Sequence, residues 1–131
     1  MAGRSRFPVG RGASAVEFAL VLPLLMLLVM GALDWGYYFY CEEVVTNAAR
    51  EGARAGSLQA TSDAAAQADA TDAASTYLQN GGLTASNATV SIALDAASVT
   101  VSVSYPTGSL TGFTSLVLPA AARASAVMRR E

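Results

Sequence analysis

The chain has 131 residues, 53% of them hydrophobic and only 14% charged, with a net charge of −2. That length holds one small domain, and a membrane helix with its leader would leave about 90 residues for a soluble part. With no histidine, no lysine and one cysteine, the chain lacks the usual general base, the commonest metal ligand and the Schiff-base nucleophile, so neither an enzyme nor a cofactor is expected.

In chain order, residues 1–12 combine Arg4, Arg6 and Arg11 with Gly3, Pro8, Gly10 and Gly12, a composition that reads as a short, basic, unstructured leader. By the positive-inside rule it stays in the cytoplasm and places everything after the helix on the far side of the membrane. An apolar run follows at once. Glu17 stands near its start, where a carboxylate in lipid is costly enough to need a function.

The span covers residues 18–40, which as a helix rise about 34 Å, enough to cross a hydrocarbon core of about 30 Å. No small-residue signal-peptidase site follows the run. It ends instead in Asp34-Trp35-Gly36-Tyr37-Tyr38-Phe39-Tyr40, an interfacial aromatic belt in which Asp34 and Trp35 mark the outer membrane boundary. Pro23 removes one helical hydrogen bond and acts either as a tolerated membrane proline or as a hinge. Cys41 has no partner in the chain for a disulfide; it reads as a small apolar residue at the membrane edge, with an intermolecular bridge as the alternative.

Helical spacing continues to Gly56, with Cys41, Val45, Ala48, Gly52 and Gly56 as a stripe of mostly small residues. Such a stripe lets another backbone come close, so this half of the rod should lie under a sheet or against a helix. Arg50, Gly52 and Arg54 are the candidate packing or interaction face; for the two arginines beside Glu51 a solvated surface with local ion pairs is the simpler reading. Thr61-Ser62-Asp63 offers an N-cap for an alanine-rich helix to about Gln79, closed by Asn80-Gly81-Gly82. Only its last turn holds large residues, so it reads as a lightly packed surface helix. Its acids Asp63, Asp69 and Asp72 read as a solvated face rather than a catalytic set.

Alternation then gives strands over residues 89–94 and 98–105, joined by the short Asp95-Ala96-Ala97 turn and therefore antiparallel. Residues 106–112 are a loop, and residues 113–118 fit either a strand or a helical turn. Residues 120–130 alternate Ala122, Ala124, Ala126 and Met128 with Arg123, Ser125, Val127 and Arg129, which suits a third strand. Beyond Cys41 there are eight acids and five arginines, which leaves no basic surface for nucleic acid.

Gly12, four small or apolar residues, Glu17-Phe18, an apolar helix and a small β-rich domain, in that order, resemble the class III signal of type IV pilins and pseudopilins. More specifically, residues 11–23 (RGASAVEFALVLP), 31–36 (GALDWG) and 48–55 (AAREGARA) resemble the TadE-like family of the tight-adherence (Flp, type IVc) pilus system. The resemblance implies a pilin-like α+β fold: a basic leader (1–12), a long N-terminal helix (13–56) and a small periplasmic domain (57–131) with an alanine-rich helix and a three-stranded antiparallel sheet. It implies that a prepilin peptidase cuts between Gly12 and Ala13, taking the net charge from −2 to −5. Glu17 and Phe18 would then serve peptidase recognition and assembly, with Glu17 pairing the new ammonium on Ala13 of its own or an adjacent subunit. The implied partners are the membrane, the peptidase, other pilin or pseudopilin subunits and the Tad inner-membrane platform, and the implied location is the inner membrane, crossed once, with the domain periplasmic or extracellular. The implied role is that of a minor pilin in assembly, surface adhesion and biofilm formation. The alternative is an unprocessed single-span protein whose outer domain is a scaffold or binding module of the secretion machinery.

Overall fold

A computed structural model describes residues 10–58 and 62–130. The elements are α1 (Gly10–Ser57), α2 (Asp63–Asn80), a 3₁₀ turn (Ala85–Asn87) and the strands β1 (Thr89–Leu94), β2 (Ser98–Pro106) and β3 (Ala121–Arg129). The three strands form one antiparallel sheet in the order β1-β2-β3. The fold is α+β, as the sequence led us to expect.

α1 runs unbroken for 48 residues through Pro23. It starts at Gly10, inside the stretch read as an unstructured leader; the rest of that leader, residues 1–9, lies outside the described residues. Extending a formed helix fixes one residue per added hydrogen bond, so the apolar run carries the helix back over Gly10 and Gly12 despite a cost of about 1 kcal/mol per glycine.

The two halves of α1 differ in what they touch. From Gly12 to Leu33 nearly every side chain is exposed, the large apolar ones included. From Asp34 onward a stripe turns inward, and Cys41, Val45, Ala48, Ala49, Gly52 and Ala53 are buried. The outer half of α1 is thus the centre of the domain.

α2 is capped by Ser62, whose Oγ accepts from the Ala65 N–H at 3.1 Å; Thr61 lies outside the described residues. At the other end the Gly81 N–H reaches the Tyr77 carbonyl at 2.9 Å, and Gly82, at φ +72°, turns the chain away in the left-handed conformation that glycine tolerates.

The light packing expected of α2 is not what the structure shows. Ala66, Ala70, Ala74 and Leu78 are fully buried, and the alanines meet α1 where it is glycine. A Cβ on Gly52 would stand 2.9 Å from the Ala70 carbonyl oxygen and 3.3 Å from Val101 Cγ1; one on Gly56 would stand 3.1 Å from the Ala66 oxygen and 3.2 Å from Val99 Cγ1. At that level the glycine face of α1 meets α2 and β2 together. Alanine buries little area, but here it sets the distance of approach, and close contact replaces large side chains as the source of cohesion.

Val99, Val101, Val103 and Tyr105 of β2 face the helices and are buried, and each pairs across β3 with Met128, Ala126, Ala124 and Ala122 in turn. The other face is hydroxyl-rich, with Ser102 Oγ donating to Ser125 Oγ at 3.0 Å. Arg130 binds the chain end back to Asp63 at the start of α2, at 2.8 Å. Because Val99 lies beside Gly56 and Val101 beside Gly52, β2 runs antiparallel to α1. It delivers the loop of residues 107–120 to the level at which α1 loses its packing.

Candidate functional site: an apolar helix and its collar

Gly12, Ala13, Glu17 and Phe18 all lie on the bare half of α1. Ala13 and Glu17 are four residues apart, about 6 Å along the axis and on neighbouring positions of one face. A Cβ on Gly12 would meet nothing within 4 Å, and Glu17 and Phe18 are both exposed. The Gly12–Ala13 peptide is part of the helix.

Asp34 is 1% exposed, and its carboxylate accepts from residues far along the chain. Oδ1 takes the Thr111 N–H at 2.9 Å, while Oδ2 takes Ser109 Oγ at 2.6 Å, Thr111 Oγ1 at 2.7 Å, Thr114 Oγ1 at 2.5 Å and the Thr114 N–H at 3.3 Å. A carboxylate taken out of water needs its lone pairs filled, and here hydroxyls and amides do this, with no countercharge among the described residues. The loop is closed at its base by Thr107, whose N–H reaches the Ala120 carbonyl at 3.1 Å and whose Oγ1 donates to the Pro119 carbonyl at 3.0 Å. Asp34 therefore ties the 107–120 loop of the outer domain to α1 as a collar on one side of the rod.

The sequence did not reveal Ser109, Thr111 and Thr114 as its partners. Their hydroxyl spacing was visible, but the acceptor is 75 to 80 residues away. Trp35 stays on the outside of α1, with its ring 6.1 Å from Tyr38 and 5.6 Å from Phe39. On the other side of the rod Tyr40 donates its hydroxyl to the Gly81 carbonyl.

Arg50, Gly52 and Arg54 do not share a face. Gly52 is buried against α2, whereas both arginines are exposed. Arg54 binds Glu51 through two nitrogens, at 2.6 and 3.0 Å; this pair holds the Glu51 carboxyl below its ordinary range and the guanidinium above its own. An exposed pair of this kind contributes about 0.2–1 kcal/mol.

Cys41 is fully buried in the core, and burial pushes its thiol above the usual range. It is expected to resist a water-soluble maleimide in the folded chain and to react once the chain is denatured. A disulfide-linked dimer on non-reducing gels of native protein would contradict that placement. Among the described residues no cluster of three or more acids or cysteines is arranged to hold a metal ion.

Among the described residues one helix is long and apolar enough to cross a membrane; continuous with the core of a small α+β domain, it fits a single-pass membrane protein. Residues 12–54 match the family model described as TadE-like protein, the segment over which the sequence itself resembles that family. No curated protein and no solved structure matches the chain.

Proposed function

We propose that this chain is a minor pilin or pseudopilin of a tight-adherence pilus, processed after Gly12 and acting in pilus assembly or initiation, and through the pilus in adhesion and biofilm formation. Its role is structural rather than catalytic. Its partners are a prepilin peptidase, other pilin subunits and the inner-membrane platform, with the N-terminus cytoplasmic and the domain on the far side.

The observation that carries this reading is the division of α1. One half is locked into a domain; the other presents a bare apolar cylinder carrying one acid, Glu17. Such a cylinder is satisfied by lipid or by the helices of neighbouring subunits, and Glu17 is costly in the first and can be paired in the second. The acid thus favours transfer from bilayer to helical assembly.

The mass of the protein made with and without the peptidase tests the processing step: a mature chain that still begins at Met1 would sink it. Glu17→Ala is expected to leave membrane insertion intact and abolish surface fibres, counted by electron microscopy. The helical state of the Gly12–Ala13 peptide, which must unwind before any protease can bind it extended, favours the second reading, an unprocessed scaffold of the secretion machinery. On that reading Glu17→Ala leaves piliation unchanged.

A further inference from the structure

We propose that the loop of residues 107–120 is a membrane-seated collar, whose apolar side chains rest in the headgroup–acyl boundary of the bilayer that α1 crosses. This rests on α1 spanning the membrane, and it adds a second, non-helical contact with lipid.

Residues 113–117 make a single turn, with the Val117 and Leu118 N–H groups both bonded to the Thr114 carbonyl at 2.9 Å. Phe113, Leu116 and Val117 stand at the helical spacing that places them on one side of such a turn. They are 54%, 97% and 72% exposed, and Leu110 beside them is 65% exposed. An isolated apolar residue on a surface needs no explanation, but four on one loop do.

The occupant follows from position and charge. Asp34, one residue beyond the exposed apolar cylinder that ends at Leu33, binds Ser109, Thr111 and Thr114. The turn is therefore pinned at the level where the lipid-facing surface of α1 stops, and its apolar side chains continue that surface. Trp35 and Phe39, the aromatic residues suited to this depth, lie on the same part of the rod. From residue 96 to residue 122 the chain carries no charge, so nothing in the loop resists the interface. Three of its hydroxyls, those of Ser109, Thr111 and Thr114, are drawn inward to Asp34, and those of Thr107 and Ser115 are bonded to carbonyls within the loop, while the apolar groups face out.

The full-length chain in nanodiscs, with lipids brominated near the top of the acyl chain, tests this by tryptophan quenching. Native Trp35, the only tryptophan, reports the span. In a Trp35→Phe background, Leu116→Trp and Phe113→Trp each report the loop, and Ser91→Trp, on the open face of the sheet, reports bulk water. Both loop variants should be quenched to an extent comparable with native Trp35 and severalfold more than the Ser91→Trp control. Quenching no greater than that control, with Trp35 quenched, overturns the collar and leaves the span standing. A loop tryptophan that is shielded only when several copies assemble assigns the patch to subunit contacts and equally overturns it. Unquenched Trp35 overturns the span, and the collar with it.

Discussion

Asp34→Ala is expected to destabilise the outer domain by roughly 3 kcal/mol, because it removes the only acceptor that five donors share. Hydrogen bonds to a charged group contribute about 1.5–3 kcal/mol each. The sum is not lost, since Ser109 and Thr111 can turn to water when released. Thr114 is buried and cannot do so without moving the turn, so its hydroxyl and amide bear most of the loss. For a domain of this size the melting temperature should fall by about 12–24 °C, measured on the full chain in detergent micelles.

Hydrogen exchange separates local from global loss. The Thr111 and Thr114 amides should lose protection first, before those of β2. Asp34→Asn keeps one oxygen but brings two N–H groups to face hydroxyls and amides, so an intermediate loss is expected. Unchanged exchange at Thr111 in Asp34→Ala would show that the loop stands without its acceptor.

The second large effect is at Gly52. In an exposed helix, Gly→Ala gains about 1 kcal/mol from lower backbone entropy. Here the new Cβ would lie 2.9 Å from the Ala70 carbonyl oxygen and 3.1 Å from the Ala74 Cβ. The nearest atom is backbone, so relief requires α2 to move away from α1 as a body. Overpacking costs typically 1–3 kcal/mol, which outweighs the propensity gain, and Gly52→Ala should be destabilising on balance. Gly52→Leu should cost about 3 kcal/mol. Gly36→Ala is the control, since nothing lies within 4 Å of its Cβ position. Chemical unfolding of the three variants tests the contact, and equal stability of Gly52→Leu and native protein would refute it.

The apolar run, the stripe from Cys41 to Gly56, the capped alanine helix and the two hairpin strands all declare themselves through neighbours three, four or two residues apart. These are backbone periods, and they need no knowledge of the fold. The third strand was legible for the same reason, because Ala122, Ala124, Ala126 and Met128 keep a period of two over the full element. The TadE-like resemblance also rests on a local pattern, and the family match covers the same part of the chain, residues 12–54.

Distance along the chain hid the rest. Asp34 read as a boundary mark because its donors lie some 75 to 80 residues away, and hydroxyl-rich loops are common. Arg50, Gly52 and Arg54 read as one group because they are close in sequence, yet a helix turns residue 52 away from the other two. The alanines of α2 looked too small to hold anything, because their worth depends on a glycine in the facing helix.

The sequence by itself determined the two main helices and the three strands, where the apolar span lies and which acid is out of place in it. Only the tertiary structure decided that the glycine face of α1 packs against both α2 and the sheet, and that β2, running back along it, returns the 107–120 loop to Asp34. Local periods come from the geometry of one backbone, whereas the partners of a buried carboxylate or a helical glycine come from how separate elements are laid against each other.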